Sequence, residues 1–263
     1  MGKKRCTAIV LAAGQGSRMK SDVAKQYMLL GDRPLIWYAL HAVEESSVID
    51  DCILVIGAED ISFAKEKIVA KYEFRKVKAV VAGGKERYDS VYSGLQAAAG
   101  RESVQGGENS YAPDRDGYIF IHDGARPFLT EDILKRCLAE VERTGACAAG
   151  MPVKDTIKFA DQEGCVAGTP DRTRLWQIQT PQVFEAALIM EAYDRLMREK
   201  ETLAAAGVKI TDDAGVVELM LERPVRLVEG SYRNIKVTTP EDIVVAEALM
   251  QDFRDGRLRE ENT

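Results

Sequence analysis

From Thr7 to Gly145 the chain alternates short apolar runs with longer stretches of helical periodicity, and that alternation restricts its fold more than any other feature. "TAIVLAA" is nearly all apolar, the pattern of a parallel strand covered on both faces. "PLIWYALHAVEES" opens with Pro34, which suits a first helical turn, and then repeats apolar residues at helical spacing. "DCILVIGAED" reads as a second strand, "SFAKEKIVAKY" as a helix, and "KVKAVVAGG" as a third strand ending in glycines. A helix over "DSVYSGLQAAA" is predicted to start with Asp89 or Ser90 as N-cap. "GYIFIHDGARPF" is a fourth strand breaking into a polar tip, and "EDILKRCLAEVERTG" is a helix stopped by Gly145. This order predicts an α/β fold: an open, mostly parallel sheet with helices on both faces. Ligands of such sheets sit beyond the carboxyl ends of the strands. The tips "AAGQGSR", "VAGGKER" and "HDGARP" all fall there.

Two segments break the rhythm. Gly100 to Gly117 is polar and rich in Gly, Asp, Glu and Ser, the composition of an exposed insertion. "VKDTIKFADQEGCVAGTPDRTRLWQIQTPQVF" alternates with a period of two around the turn signal "DQEG" and predicts a protruding β-hairpin arm at about 154–178. An isolated hairpin is marginal in water, so the arm is expected to pack on something, a second copy of the chain included. The chain is otherwise read as one domain over 1–263, with "DFRDGRLREENT" as a solvated tail.

Composition narrows the function. A net charge of −6 repels polyanions, so nucleic acid and anionic membrane are not expected partners, and 7% aromatic residues leave little for stacking bases. Cys6, Cys52, Cys137, Cys147 and Cys165 are odd in number and scattered, and His41 and His122 are the two histidines. That argues against a disulfide framework or a structural zinc site and for a reducing, cytoplasmic setting. No stretch reads as a signal peptide or a transmembrane span.

Any phosphate site must then be a local cationic pocket on an acidic body. Gly14 and Gly16 let the backbone turn sharply and present N–H groups to an anion, but Met19 stands where a dinucleotide fingerprint needs its third glycine. Taken alone the turn is either a plain βα connection or an anion cradle. Arg18 and Lys25 favour the cradle, because a cationic fork and a point charge can clamp a triphosphate. Lys20 reads as a solvated surface lysine. Gly83 and Gly84 allow close approach to a flat base whose edge Ser90 can meet, with Arg87 either a pocket wall or an exposed charge. Asp123 can hold a ribose hydroxyl or help place Mg²⁺ while Arg126 grips a phosphate, or the two form an ion pair under a turn. His122 points away from Asp123 along its strand and reads as packed. Thr211 can offer a hydroxyl near a phosphate, and Asp212 and Asp213 can cap the helix "DAGVVELML". Lys236 sits in an alternating stretch read as a strand, either edge-exposed or aimed at the site. "TTPEDI" is a helix start with Thr239 as N-cap and Pro240 first.

The run "LAAGQGSRM…KQY", "GGKERYDSV", "HDGARPF", "DRTRLWQIQTPQVF", "TDDAG" and "NIKVTTPEDI" resembles the 2-C-methyl-D-erythritol 4-phosphate cytidylyltransferases in order and spacing, over roughly Ala8 to Leu249. The resemblance implies a Rossmann-like sheet and transfer of CMP from CTP to methylerythritol phosphate, with pyrophosphate released, in non-mevalonate isoprenoid synthesis. It implies Ala12, Ala13, Gly14 and Gly16 beside the nucleotide, Arg18 and Lys25 on its phosphates, and Gly84, Lys85 and Ser90 around cytosine. Asp123 and Gly124 would meet the ribose, Asp123 also the second substrate. Arg126, Thr180, Thr211 and Lys236 would hold methylerythritol phosphate or the reacting phosphates. The arm would be a homodimerisation arm carrying Thr156 and Arg172 into the neighbouring site, and Mg²⁺ would be bound mainly through CTP phosphates. Three places depart from the family: Gly124 stands where "HDAARP" carries alanine, Lys85 where an acid is sometimes found, and the Gly100–Gly117 stretch is longer than usual.

The expected chemistry is in-line attack by the acceptor phosphate on the α-phosphorus of CTP, with Arg18, Lys25 and Lys236 stabilising the crowded centre. The alternatives are a cytidylyltransferase for ribitol 5-phosphate or another polyol phosphate, and a non-catalytic nucleotide-binding protein.

Overall fold

The structure, a computed structural model, describes residues 3–14, 24–100 and 116–254, with the backbone alone for 252–254. Gly16 and Arg18, most of the polar insertion and the C-terminal tail lie outside the described residues.

Strand β1 (Cys6–Ala12) is followed by a two-residue ribbon, β2 (Leu29–Leu30) with β3 (Arg33–Pro34), and by α1 (Leu35–Glu45). Then come β4 (Asp51–Ile56), a short α2 (Ile61–Phe63) continued as π-helical turns over Ala64–Ala70, β5 (Val77–Ala82) and α3 (Arg87–Ala98). After these follow β6 (Tyr118–Asp123), α4 (Glu131–Thr144) and β7 (Ala146–Pro152). The arm holds β8 (Phe159–Ala160) and β9 (Val166–Gly168), and β10 (Trp176–Glu185) returns from it. The chain closes with α5 (Ala186–Ala205), α6 (Asp213–Leu221), β11 (Arg226–Glu229) and α7 (Pro240–Arg254).

Seven strands form one sheet in the order β11-β7-β10-β6-β1-β4-β5. The pairs β1–β4, β1–β6, β4–β5 and β7–β11 are parallel, and β10 alone runs antiparallel, between β6 and β7. Side chains of a strand alternate between faces, so an all-apolar strand feeds two cores at once. Ala8 and Val10 of β1, Leu54 of β4 and Phe120 of β6 pack on one face with α1 and α4. Ile9, Ile53 and Ile121 pack on the other with α3, α5 and α6. A smaller cluster around Leu35, Phe128 and Val237 seats α7. The mostly parallel sheet with helices on both faces is the architecture the alternation predicts.

Several local readings change. The N-cap of α3 is Glu86, not Asp89 or Ser90: its carboxylate accepts the Asp89 N–H, and Asp89 accepts the Glu86 N–H at 3.2 Å. That reciprocal box satisfies two orphan donors, which a single cap cannot. Lys236 is not in a strand; 234–238 has no regular structure. The paired part of the arm is confined to Phe159–Gly168, and from Trp176 the chain has rejoined the main sheet. Pro181 falls where the β10–β7 register shifts, between Ile178 and Gln182, so its missing N–H interrupts no regular ladder. Strand β7 and helix α5 were not anticipated. As read from the sequence, Gly145 ends α4, with φ +81°, a conformation open to glycine at little cost.

Candidate active site

Strands β1, β5 and β6 run parallel, so their carboxyl ends reach the same rim of the sheet. Gly83 follows β5 there, and its N–H donates to Ile56 O at 2.7 Å. A Cβ on Gly83 would lie 2.3 Å from Ala13 Cβ and 2.8 Å from Ser90 Oγ, so only glycine lets these two tips touch. Gly84 N–H donates to Ser90 Oγ at 3.1 Å, which commits that hydroxyl to shaping the turn. On the other side of β1, Asp123 N–H donates to Thr180 Oγ1 at 3.0 Å and Gly124 N–H to Leu11 O at 2.8 Å. The β6 tip is thereby tied to both neighbouring strands.

Residues 234–238 are stitched across this tip. Val237 N–H donates to Ala125 O at 2.9 Å and Arg126 Nη1 to Asn234 O at 2.6 Å. This lays Lys236 Nζ 2.7 Å from Asp123 Oδ2, while Arg87 Nε stands 3.5 Å from Oδ1. Burial alone pushes the Asp123 carboxyl up, but the charges of Arg87 and Lys236 outweigh it and hold the group well below the usual carboxylate range. The carboxylate is therefore ionised at neutral pH and set between two cations.

These elements enclose a cleft of about 670 Å³. Its lining includes Ala12, Ala13, Gly14, Lys25, Gly84, Lys85, Ser90, Asp123, Gly124 and Lys236, all singled out in the sequence, together with Gln26, Glu86, Arg87, Ala125 and Thr238. Other expected residues stand elsewhere. Arg126 is buried beneath the cleft, its fork on the carbonyls of Asn234 and Ile178 rather than on Asp123. Thr180 is buried too. Thr211 lines a separate cavity of about 450 Å³ beside Ile178 and Glu218. Thr156 and Arg172 are exposed near the arm, where Arg172 Nη1 donates to Lys154 O at 2.8 Å.

His122 is packed, as its place in the strand predicts. Thr180 Oγ1 lies 3.0 Å from Nδ1 and Arg126 O lies 3.2 Å from Nε2. A neutral ring with the proton on Nε2 satisfies both contacts, since Thr180 already accepts from Asp123 N–H. Burial lowers the imidazole pKa to about 4. A ring that charges more readily unfolded than folded costs stability as pH falls, starting near its unfolded value of about 6.5. The loss is complete near pH 4, where the folded ring also titrates. In urea unfolding across that window, His122 is expected to remove up to about 3 kcal/mol, and His122→Gln to flatten the acid limb. An unchanged limb in the variant overturns this.

Among the described residues, Glu86 and Asp123 are the carboxylates on the cleft wall. Such oxygen donors fit a hard divalent cation carried mainly on a ligand's phosphates rather than caged by protein. Among the described residues no group of three or more His, Cys, Asp or Glu side chains is arranged to hold a metal.

The feature that sequence reasoning missed is the partner of Arg87. Its Nη1 and Nη2 donate to Asp213 at 2.8 and 2.7 Å. Asp212 alone caps α6, accepting from Gly215 N–H at 3.1 Å. Two adjacent aspartates with room for one cap were the available signal. The partner itself lies 126 residues away.

A family model described as 2-C-methyl-D-erythritol 4-phosphate cytidylyltransferase matches residues 6–252. A protein of that name from Lachnoclostridium phytofermentans is 45% identical over 252 residues, covering 96% of this chain and 99% of the relative. One from Lachnospira eligens is 46% identical over 240 residues, covering 91% and 96%. The crystal structure of 4-diphosphocytidyl-2C-methyl-D-erythritol synthase from Anaerococcus prevotii superposes with a TM-score of 0.73 at 32% identity, covering 94% of this chain and 96% of that one.

Proposed function

Because the chain belongs to the 2-C-methyl-D-erythritol 4-phosphate cytidylyltransferase family, we propose that the rim cleft is its active site and that the lining divides between two substrates. The chain is a nucleotidyltransferase: it moves CMP from CTP to 2-C-methyl-D-erythritol 4-phosphate and releases pyrophosphate, in isoprenoid precursor synthesis. The observation that carries the assignment of the site is the meeting of three glycine-bearing strand ends with Lys25, Asp123 and Lys236 in one cleft.

In this reading Ala12, Ala13 and Gly14 bring backbone to the nucleotide, and Lys25 meets its phosphates. Arg18 and Gly16 are assigned there on sequence alone. Gly84, Lys85 and Ser90 edge the cytosine, with Lys85 acting through its backbone. Asp123 and Gly124 face the ribose, and Asp123 also faces the acceptor. Thr180 and Arg126 act from below by fixing the Asp123 turn, and Thr211 stands in the neighbouring cavity. An acceptor phosphate oxygen forms the new bond to the α-phosphorus as the bond to the departing pyrophosphate breaks. The nucleophile is already an anion, so the protein's work is alignment and charge stabilisation, which falls to Lys25 and Lys236. We assign Mg²⁺ to the triphosphate, with Asp123 as its protein oxygen, where it would neutralise phosphate charge.

The arm exposes Phe159 (60%) and Val166 (67%), which favours a homodimer in which Thr156 and Arg172 enter the partner site. No helix among the described residues is long and apolar enough to cross a membrane; a cytoplasmic location is part of the proposal. Replacing 157–168 by a short turn is expected to convert a dimer into a monomer in sedimentation equilibrium, and an unchanged mass overturns that. Pyrophosphate release from CTP, dependent on Mg²⁺ and on methylerythritol phosphate but not on ribitol 5-phosphate, tests the reaction. No release with the first acceptor overturns it.

A further inference from the structure

Behind Asp123 lies a second carboxylate that no part of the reaction uses. Asp213 is fully buried in the first turn of α6, where the helix N-terminus favours negative charge. Its Oδ1 accepts from the buried Tyr193 hydroxyl at 2.5 Å and from Arg87 Nη1 at 2.8 Å, and its Oδ2 accepts from Arg87 Nη2 at 2.7 Å. Both terminal nitrogens of Arg87 are thus engaged by Asp213, and Nε stands 3.5 Å from Asp123 Oδ1. Three helices meet in this contact: α3 supplies Arg87, α5 Tyr193 and α6 Asp213.

A guanidinium pairs best with a carboxylate in a two-pronged contact. Two carboxylates are within its reach, and which one it grips decides what Asp123 has left. If the fork turned onto Asp123, it would compete with Lys236 for the oxygens of that carboxylate and crowd the one beside the cleft. With the fork on Asp213, Asp123 keeps Oδ2 on Lys236 and leaves Oδ1 beside the cleft. The buried Tyr193 hydroxyl has Asp213 as its partner and adds a short bond that aligns this carboxylate.

We propose that Tyr193 and Asp213 form a positioning unit that holds the Arg87 fork off Asp123, keeping Asp123 and Lys236 in the geometry that receives the acceptor. This rests on the roles given to Asp123 and Lys236 above. Neither Tyr193 nor Asp213 lines the cleft, so they act through Arg87. A purely architectural tie between α3 and α6 would alter stability and leave the kinetic constants for the two substrates in their original ratio.

The test compares Asp213→Asn, Tyr193→Phe and Asp213→Glu in the full-length chain, by steady-state pyrophosphate release with each substrate varied and by CTP calorimetry. Asp213→Asn is expected to lower kcat/KM for the acceptor by about 10²-fold with CTP affinity within about threefold. Tyr193→Phe keeps the ring packing and should give the same split at about fivefold, and Asp213→Glu should recover most of the loss. In an Asp123→Asn background the Asp213→Asn effect should largely vanish, since there is no longer a second carboxylate to capture the fork. Additive losses, or Tyr193→Phe and Asp213→Asn with wild-type constants, overturn the inference; should Asp213→Asn not fold, Tyr193→Phe decides. If the wild-type protein itself releases no pyrophosphate, the assignment of the reaction fails. A crystal structure of Asp213→Asn or Tyr193→Phe then decides the inference: a fork moved onto Asp123 upholds it, and an unmoved one overturns it.

Discussion

Lys236→Ala is expected to lower kcat by about 10²- to 10³-fold, the usual cost of removing one preorganised donor from a reacting centre. The size of the effect follows from how the lysine is held. Its backbone is fixed by the next residue, through Val237 N–H to Ala125 O, and not by the side chain. Truncation therefore removes charge without releasing the segment. Asp123 keeps Arg87 at 3.5 Å, so the carboxylate is not left alone in the protein. The loss should appear mainly in kcat, because a cation that faces the phosphorus as charge crowds there is worth more in the transition state than in the bound complex. Steady-state rates with both substrates saturating check it, and a kcat within about threefold of wild type removes Lys236 from the mechanism.

Gly83→Ala is the second large effect, and it is steric. The added methyl would sit 2.3 Å from Ala13 Cβ, an atom with no rotamer to retreat into, and 2.8 Å from Ser90 Oγ, which already accepts from Gly84 N–H. The β1 and β5 tips must separate. Overpacking of this kind costs about 1–3 kcal/mol of stability. The displaced backbone is also the nucleotide side of the cleft, and a shift near 1 Å there costs about 10²-fold in kcat/KM. Gly57→Ala makes the useful contrast: its new Cβ would come within 2.9 Å of Glu59 Oε1, the free end of a side chain that can swing away. Thermal unfolding and CTP titration of the two variants should diverge. Equal behaviour would show that the contact at Gly83 is not what shapes the cleft.

The fold was legible where the sequence signal is local. β1, β4 and β6 are mostly apolar because both faces are covered, and the helices between them repeat apolar residues at helical spacing, so the order of elements reads directly. β7 escaped because "ACAAGMP" is built of small residues that pack under α4 without looking like a strand, while β10 read as strand but was joined to the arm, because its period-two pattern runs on from the hairpin without a break. The cleft was half legible for a related reason. The glycines and Asp123 announce themselves at strand tips, where a parallel sheet must place them together, and Lys25 follows in the short 3-10 turn Lys25–Tyr27. Arg87 could not be assigned, because what determines it is Asp213, 126 residues away and brought near only by the folded chain. Lys236 was read in the wrong backbone, with edge exposure and the site both left open, since its segment is held by hydrogen bonds to the β6 tip and not by a strand partner.

The antiparallel course of β10 has a consequence for how this protein can change. Trp176 pairs with Pro152, so the two ends of the arm leave the sheet one strand spacing apart, about 4.8 Å. A loop grafted between such fixed posts pays an entropic cost that grows only with the logarithm of its length. Residues 153–175 can therefore lengthen, shorten or trade their surface with little strain on the seven strands behind them. The arm can change length or surface without asking the sheet, and the strand tips it carries, to rebuild.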